Sequence, residues 1–485
     1  MPIPTTFAGD SSRGQGQFTT IGSAAQVYTM QSWQDTQQNP YVNGSADGPI
    51  NAVYSVAVDA SGNVYSIGQA YTTSNLYSLI LNKQNSSGTL LWSKGLSTAN
   101  GYNLMYLFNA LFEITVGLTL DSSGNVYVFG APSGYGSQII KFDSSGTILW
   151  AYSLTGGTGS QPSTTSFFVS ITVDSSGNVY AVGNNGNSAP TVIKINSSGA
   201  WQWGYYLSSP TTSGNAYGGI KVDSSGNVNV AIGNVMFQLN SSGSLNWFSN
   251  PSPTPFFSNV VVDSSNNIYV FGYDSTSVQI IYSYTSSGTV RWGNRYTNAS
   301  FAAGTLMGAT IDSSNNIYAT GLLGPSVGIS RPSIGSTLKI DSNGAVLNSG
   351  SFYSPKQGSP LAYDTAGYCC AVDSSGNTYW GGQAQTSQYR TSKSFNYYNN
   401  NALVVKDTNA FQGTHAGNFT MNSYLSVAWN KTYPLTAASV TAPSITGGGA
   451  VTAITSSLWQ TSTVTTVNNA LSGGQPGIVA ALVTI

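Results

Sequence analysis

Short runs of alternating apolar and polar residues recur along the chain, each interrupted by a cluster of Asp, Ser, Gly and Asn. In VSITVDSSGNVYAVG, which starts at Val169, the side chains of Val169, Ile171 and Val173 fall on one face of an extended strand. The cluster that follows suits a tight turn, because an Asp side chain accepts hydrogen bonds from nearby backbone N–H groups and Gly or Asn tolerates positive φ. Each such stretch therefore predicts a β-hairpin.

This first motif occurs seven times, which indicates a repeat protein. The copies read VDASGNVY, LDSSGNVY, VDSSGNVY, VDSSGNVN, VDSSNNIY, IDSSNNIY and VDSSGNTY. Their aspartates, which we predict to be structural turn residues, are Asp59, Asp121, Asp174, Asp223, Asp263, Asp312 and Asp373. Successive aspartates lie 40 to 62 residues apart, a spacing that fits a four-stranded β unit with loops of variable length.

A second motif follows the first in six of the seven units, as in NSSGTLLW from Asn85 and DSSGTILW from Asp143. It predicts a second hairpin, so each unit becomes a four-stranded antiparallel sheet. Seven such sheets arranged radially form an all-β, seven-bladed β-propeller. Tryptophans recur in register on the predicted outer strands, where we expect them to serve blade packing: Trp92, Trp150, Trp203, Trp247 and Trp292.

Stretches such as ITVDSSGNVYAVG and IIKFDSSGTILWAYSLTGG resemble the seven-bladed β-propeller repeat (SBBP) family over roughly residues 50–407. The resemblance implies the propeller fold. It implies no activity, since the shared motif is structural. The chain departs from the pattern at Asn348, which replaces the outer-strand Trp in the sixth unit, and in the seventh unit, which lacks the second motif.

The incomplete seventh unit predicts that the ring is closed by a strand from the N-terminus. In AQVYTMQSW, Trp33 precedes Asp59 by 26 residues, a separation similar to that between outer tryptophans and the next Asp elsewhere. We therefore predict that residues 26–34 complete the last blade, residues 367–407. The predicted domains are an N-terminal arm (1–25), the propeller (26–409) and a β-rich C-terminal appendage (410–485) that packs on the propeller's flank or extends to another subunit.

Composition excludes several classes of function. Only 6% of the residues are charged and the net charge is -1, against roughly 25% charged residues in an ordinary soluble protein. Nucleic acid is excluded as a partner because phosphate binding needs clustered Lys and Arg. The apolar runs are too short to predict a membrane span, and the N-terminal residues lack the pattern of a secretory signal. Cys369 and Cys370 are adjacent, so they cannot join distant segments.

Few ionisable groups remain for catalysis. The chain has one Glu, Glu113, and one His, His415, which lies outside the repeats. Glycosidases typically need two facing carboxylates, and serine hydrolases usually need a histidine base. Zinc sites need several Cys or His ligands, and an EF-hand needs further acidic positions and a bidentate Glu. We predict no catalytic residue, no metal site and no cofactor, so we expect the protein not to be an enzyme.

Non-repeated aromatic residues are expected in connecting loops, where they either form a recognition face or cover the ends of the barrel. These residues are Tyr102, Tyr106, Tyr205, Tyr206, Tyr389, Tyr397 and Tyr398. Aromatic and amide groups suit contacts with glycans and proteins.

The leading hypothesis is that the protein is a non-enzymatic structural or adhesive subunit of a virus particle and, within that class, a phage tail protein. Chains rich in Ser, Thr, Gly and Asn, poor in charge and β-repetitive are typical of such subunits. The expected location is the virion, and the expected partners are other virion proteins in a multicopy assembly and a host glycan or receptor. The alternative is a bacterial or archaeal surface propeller that binds glycans or proteins and is exported by a non-classical route. A propeller lyase or hydrolase ranks last.

Overall fold

A computed structural model of the chain provides the structure. It describes residues 25–31, 52–71, 77–98, 116–130, 137–154, 167–184, 189–209, 217–249, 255–297, 303–324, 334–355, 362–363, 365–390, 396–407, 417–422, 425–430, 436–439, 450–453, 459–461, 464–468 and 479–484. All helical and strand elements in these ranges are β-strands. Within them, no helix has the length and apolar character needed to cross a bilayer.

Seven blades account for 28 of the 36 strands in the described ranges. Blade 1 consists of β2 (Ala52–Val58), β3 (Val64–Tyr71), β4 (Tyr77–Gln84) and β5 (Leu90–Thr98). Blade 2 consists of β6 (Gly117–Leu120), β7 (Val126–Gly130), β8 (Ser137–Phe142) and β9 (Ile148–Leu154). Blade 3 consists of β10 (Phe167–Val173), β11 (Val179–Asn184), β12 (Pro190–Ile195) and β13 (Trp201–Ser209). Blades 4 and 5 are β14 (Gly218–Val222), β15 (Val228–Ile232), β16 (Val235–Leu239), β17 (Leu245–Ser249); and β18 (Phe256–Val262), β19 (Ile268–Tyr273), β20 (Gln279–Tyr284), β21 (Val290–Thr297).

Blade 6 is β22 (Ala303–Ile311), β23 (Ile317–Gly324), β24 (Ile334–Ile340) and β25 (Val346–Pro355), with the two-residue β26 (Ala362–Tyr363) paired to β25. Blade 7 is β27 (Thr365–Val372), β28 (Thr378–Arg390), β29 (Asn396–Asp407) and β1 (Ala25–Gln31). The remaining strands are β30 (Gly417–Asn422), β31 (Leu425–Asn430), β32 (Thr436–Ser439), β33 (Ala450–Ala453), β34 (Trp459–Thr461), β35 (Val464–Asn468) and β36 (Val479–Thr484).

Every blade is an antiparallel sheet whose strands follow chain order from the central axis to the rim, blade 7 being completed by β1. The predicted all-β fold with seven four-stranded blades is confirmed. The apolar core lies between neighbouring blades. Tyr65, Ile67 and Leu81 of blade 1, for example, share one buried cluster with Val128 and Phe142 of blade 2. Each sheet thus buries both of its faces, which is why the strands carry apolar residues on both.

The motif turns are three-residue hairpin loops closed by a residue in the left-handed region. In blade 1 the N–H of Gly62 donates to the Asp59 carbonyl at 2.9 Å, and Gly62 has a φ of 76°. A residue with positive φ at this point matches the right-handed twist of the flanking strands. Asn266 and Asn315 occupy the position in blades 5 and 6, with φ of 61° and 63°.

A β-bulge in the innermost strand explains the glycine that closes the motif in sequences such as IYVFG. In blade 5 the register shifts between Phe257 and Asn259, and Gly272 of β19 lies opposite Phe257. A Cβ atom on Gly272 would lie 1.8 Å from the carbonyl oxygen of Phe256. The bulge therefore brings the backbones too close for any residue but glycine.

The N-terminal strand closes the ring, as predicted, but its register differs from the predicted one. β1 pairs antiparallel with β29, and Gln26 lies opposite Lys406. In blade 1 the equivalent Lys83 lies opposite Trp92, so Gln26 occupies the position that the spacing argument assigned to Trp33. Trp33 lies outside the described residues, and the strand spans Ala25–Gln31 in place of residues 26–34. The predicted arm, residues 1–25, is outside them except for Ala25.

The strands β30–β36, which we call the C-terminal belt, add to the rim of the propeller. In chain order β31, β32, β33, β34, β35 and β36 pair antiparallel with the outermost strands of blades 6, 5, 3, 2, 1 and 7. The belt therefore runs around the ring against the blade order. Among the described strands, none pairs with the outer edge of β17 in blade 4. The described strands of the predicted appendage, residues 410–485, therefore lie along the propeller's flank in this chain.

Candidate functional site

The seven motif aspartates hold their own turns with both carboxylate oxygens. In blade 2, Oδ1 of Asp121 accepts from the backbone N–H of Ser123 at 3.0 Å and of Asn125 at 2.9 Å. Oδ2 accepts from the Asn125 side-chain amide at 2.8 Å and from the Tyr127 hydroxyl at 3.0 Å. Because the carboxylate is surrounded by donors, a cation there would face the positive ends of N–H and O–H groups.

The same bonds to Oδ1 and the same side-chain amide bond to Oδ2 recur in the other six blades. The aspartates concerned are Asp59, Asp174, Asp223, Asp263, Asp312 and Asp373. In the described part of the chain, no three Cys, His, Asp or Glu side chains come together as metal ligands. Glu113 and His415, the single Glu and the single His of the chain, lie outside that part.

The outer turns use only one side-chain oxygen. Asp143 in blade 2 receives the N–H groups of Ser145 and Thr147 and the Ser145 hydroxyl on Oδ1. Asn85 makes the same three bonds to its turn in blade 1. A single acceptor oxygen is enough here, which explains why the outer motif begins with Asn, Asp or, in blade 5, Thr285, whereas the inner motif always has Asp.

The two turns of blade 2 give a matched test. We expect Asp121→Asn to lower the free energy of unfolding by about 2 kcal/mol, since an amide would place a donor against the donors of Asn125 and Tyr127. Asp143→Asn should change it by less than about 0.5 kcal/mol. Urea unfolding at neutral pH measures both, and equal effects of the two substitutions would contradict the assigned bonding.

The effect of Asp121→Asn on the free energy of unfolding should depend on pH, and the pKa of Asp121 sets how. Burial raises this pKa, but the bonds from Asn125, Tyr127 and Ser123 outweigh burial and leave it below its ordinary value. A lowered folded pKa contributes stability above the unfolded value of about 3.9, and this contribution is lost as the pH falls through the folded pKa. The Asp121→Asn effect should therefore shrink in acid.

Blades 1, 2 and 3 are each fastened to the next blade by a lysine and a tryptophan that share one acceptor. In blade 2, Nζ of Lys141 donates to the Ser197 carbonyl of blade 3 at 3.0 Å, and Nε1 of Trp150 donates to the same oxygen at 3.2 Å. The ammonium also lies 4.9 Å from the centre of the Tyr127 ring, within range of a cation–π interaction. Packing and hydrogen bonding thus act together at the blade interface.

The predicted packing tryptophans all donate to the following blade. Trp92, Trp203, Trp247 and Trp292 bond the carbonyls of Ser144, Ser241, Ser286 and Ser342. Blade 4 departs from the pattern in a concerted way: Asn229 and Gln238 replace the Tyr and Lys, Gln238 donates to Asn229 at 2.8 Å, and it also reaches the Ser286 carbonyl. The inter-blade bond therefore survives the change of residue types.

The asparagines with positive φ add a further link between blades. Oδ1 of Asn266 in blade 5 accepts from the N–H and hydroxyl of Ser224 in blade 4, and its amide donates to Ser225. Oδ1 of Asn315 in blade 6 accepts from the N–H and hydroxyl of Ser264 in blade 5, and its amide donates to the same Ser264 hydroxyl. The sequence alone gave no sign that SSNN in place of SSGN marks these links, since the partners are more than 40 residues away.

The innermost strands of all seven blades enclose a central channel with a cavity of about 160 Å³. Its lining is largely apolar or hydroxyl-bearing and includes Tyr54, Ser55, Tyr217 and Tyr368. It also includes the half-buried Lys221 of β14 and the buried free thiols Cys369 and Cys370 of β27. Burial raises the pKa of Cys370 to about 12 and that of Cys369 well above its ordinary value, so both are protonated at neutral pH.

Lys221 is the functional candidate that sequence reasoning missed. The sequence contains a sign of it, because Lys221 is the only charged residue at the position two residues before the motif Asp. The other copies have neutral residues there: Ala57, Thr119, Thr172, Val261, Thr310 and Ala371. Only the structure shows that this position in blade 4 lies in the channel.

The aromatic residues expected in loops belong largely to strands. Tyr205 and Tyr206 lie in β13, Tyr389 in β28, and Tyr397 and Tyr398 in β29, so that part of the prediction is wrong; Tyr102 and Tyr106 are outside the described residues. β28 and β29 have 13 and 12 residues, and their pairing continues to Arg390 and Asn396. Blade 7 thus carries the longest hairpin among the described strands.

Comparisons with known proteins bear on the fold alone. No protein-family model matches the chain, so the resemblance to the SBBP family is not confirmed, and no curated protein matches it either. A solved structure of a catalytically inactive virginiamycin B lyase from Staphylococcus aureus with quinupristin is similar, with 12% identity, a TM-score of 0.45, and coverage of 78% of this chain and 99% of the lyase.

Two further solved structures are similar to the chain. The Pan2 WD40 domain of Neurospora crassa has 10% identity and a TM-score of 0.37, with coverage of 60% of this chain and 88% of that domain. A protein of unknown function from Bacteroides caccae has 16% identity and a TM-score of 0.32, with coverage of 56% and 93%. The assignment of the propeller fold rests on the strand order of the chain itself.

Proposed function

We propose that the protein is a non-enzymatic structural or adhesive subunit of a virus particle, a phage tail protein in the first instance, which uses its propeller as a scaffold for assembly or for contact with a host glycan or protein. The observation that carries this proposal is the use of all seven motif carboxylates within their own turns. Carboxylates held in this way are not available as acids, bases or metal ligands.

The lysines that recur in the repeats support the same proposal. Lys83, Lys141, Lys194 and Lys406 are committed to carbonyl oxygens of the following blade. These lysines therefore help to hold the ring together, which leaves mainly the neutral hydroxyl and amide groups that are abundant in the chain for contact with a partner. Such a surface binds through many hydrogen bonds and apolar contacts, and multiple copies in a particle would add avidity.

The long hairpin of blade 7 is the part of the scaffold that we assign to partner contact. Its sequence, QAQTSQYR in the first strand and NYYNNN in the second, is rich in amide and tyrosine side chains. The extra strand residues lie beyond the position where the hairpins of the other blades end, so this hairpin offers area that the closure of the ring does not require.

The test is the location of the protein in its source culture. Particles banded on a density gradient and analysed by quantitative mass spectrometry are expected to contain the chain in a fixed copy number relative to the other particle proteins. Recovery with the cell envelope, and not with particles, would instead favour a surface propeller of a bacterium or archaeon. Recovery with neither would overturn both assignments.

We expect association with the partner surface to change by less than about two-fold when the salt concentration is raised from low to physiological and above, because screening acts on charges and the contact surface has few. Surface plasmon resonance with purified envelopes of the host as the ligand measures this. A steep loss of binding in added salt would show that ion pairs carry the contact and would contradict the proposed mode of recognition.

A further inference from the structure

A single cation enters a channel whose described lining is otherwise neutral. Lys221 is half-buried and lies in β14, among residues from the inner strands of all seven blades. Its ammonium makes no hydrogen bond or ion pair with any residue in the described ranges. The repeat lysines differ in this respect, since Lys141, for example, donates to a carbonyl of the next blade and lies 4.0 Å from a carboxylate oxygen of Asp121.

The groups that face Lys221 do not supply a negative charge. The cavity lining contains no carboxylate among the described residues, and its titratable groups besides Lys221 are Cys369, Cys370, Tyr54, Tyr217 and Tyr368. Cys370 interacts electrostatically with the ammonium, but its raised pKa keeps it a neutral thiol at physiological pH. Partial withdrawal of an ammonium from bulk water without a counter-charge costs free energy, and a ligand that supplies the negative charge offsets this cost.

We propose that the central channel binds a small monocarboxylate at the ammonium of Lys221. The charge balance favours a monoanion, because one lysine supplies a single positive charge and no second cation is present in the described lining. Phosphate sites normally combine several donors or cations, which this cavity does not offer at the same point. Hydroxyl groups such as that of Ser170 line the cavity and can donate to the second carboxylate oxygen.

The volume limits the size of the ligand. The cavity of about 160 Å³ corresponds to roughly five water molecules at about 30 Å³ each. It is smaller than the ~300 to 1,000 Å³ typical of pockets for larger ligands. A carboxylate with only a few carbon atoms therefore fits, whereas an oligosaccharide or a peptide segment does not.

The experiment uses the full-length protein, with acetate as the probe and acetamide as its neutral isostere. Isothermal titration calorimetry is expected to give saturable 1:1 binding of acetate and none of acetamide, with inorganic phosphate weaker than acetate. Lys221→Met should abolish acetate binding, and Lys221→Arg should retain it. The control Lys94→Met removes a cation that does not line the channel, so it should bind acetate like the wild type.

A measurement of thermal stability shows whether Lys221→Met loses acetate binding because it is misfolded. Without ligand, Lys221→Met should melt at a higher temperature than the wild type, because the uncompensated ammonium is gone. Added acetate should raise the melting temperature of the wild type and of Lys94→Met but not that of Lys221→Met. These shifts do not depend on whether the protein belongs to a virus particle.

The pH dependence of acetate binding to the wild type provides a further test that needs no variant. Burial lowers the pKa of Lys221, so the ammonium loses its proton below the ordinary lysine value of about 10.4. The affinity of the wild type for acetate should fall as the pH approaches that value. Undiminished binding at high pH, equal binding of acetamide, unchanged binding in Lys221→Met, or no saturable acetate binding to the wild type would each overturn the proposal.

Discussion

Removal of residues 1–31 should lower the free energy of unfolding by about 5 kcal/mol or more, since the deletion removes a strand bonded on both edges and each backbone hydrogen bond contributes about 1 kcal/mol net. β1 pairs with β29 over the register Ala25 to Met30 and with β36 over Gln26 to Gln31. Without β1, blade 7 keeps only three strands and β36 of the belt loses its only partner among the described strands.

The matched control is removal of residues 1–24, which leaves β1 in place. This shorter deletion should leave the urea midpoint close to that of the intact chain, and a synthetic peptide of residues 25–31 added to the longer deletion should recover part of the loss. If both deletions were equally stable, the closing strand would contribute nothing and the ring would be held by the blade interfaces alone.

Gly272→Ala should destabilise the protein by about 3 kcal/mol, because the added methyl group meets backbone and not a side chain that can move aside. The new Cβ would lie 1.8 Å from the Phe256 carbonyl oxygen and 3.0 Å from the Phe257 Cα. Relief requires β18 to move away from β19, which disturbs the bulge at Phe257 and Asn259 and the inner strand that lines the channel. Thermal and urea unfolding both measure the effect.

The control for this substitution is Gly376→Asn in the blade 7 turn. Gly376 has a φ of 81°, and a Cβ there would meet no atom within 4 Å. Asn is the residue other than Gly that most readily adopts this conformation, and it occupies the equivalent position as Asn266 and Asn315. The expected change is within about 0.5 kcal/mol. A Gly272→Ala variant as stable as Gly376→Asn would show that the bulge opens without cost.

The C-terminal belt explains how a ring of weakly charged sheets avoids exposing its rim. The outermost strand of a blade presents unpaired N–H and C=O groups, which invite pairing with other chains. The belt pairs with part of the outer edge of six of the seven blades. A multicopy assembly built from such rings would associate through selected surfaces and not through its strand edges, which agrees with the proposed role in a particle.

The central channel and the blade 4 residues show where repeat symmetry is broken. Lys221, Asn229 and Gln238 all belong to blade 4. Asn229 replaces a tyrosine that every other copy keeps, Gln238 replaces a lysine that every other copy but blade 5 keeps, and Lys221 replaces a neutral residue. Asn229 and Gln238 compensate each other by a hydrogen bond. Lys221 has no such compensation within the described residues, and this difference separates a structural exception from a candidate binding residue.

What the sequence determined by itself is the set of local structures. The hairpins, the seven inner turns and the number of blades follow from alternation and from an Asp that bonds groups two to six residues further on, as Asp121 does with Ser123, Asn125 and Tyr127. Such bonds form within one short segment, so their residues recur together and are visible as a motif. The closing strand was predictable for a related reason, since one unit lacked a strand.

Only the tertiary structure decided the features that join distant parts of the chain. Lys406 bonds the Ser86 carbonyl 320 residues away, Gln26 and not Trp33 faces Lys406, and the belt crosses the blades in reverse order. The convergence of Lys221 and Cys370 on one channel depends on how seven inner strands meet around an axis. No local pattern records these contacts, because their geometry arises from the packing of complete sheets against one another.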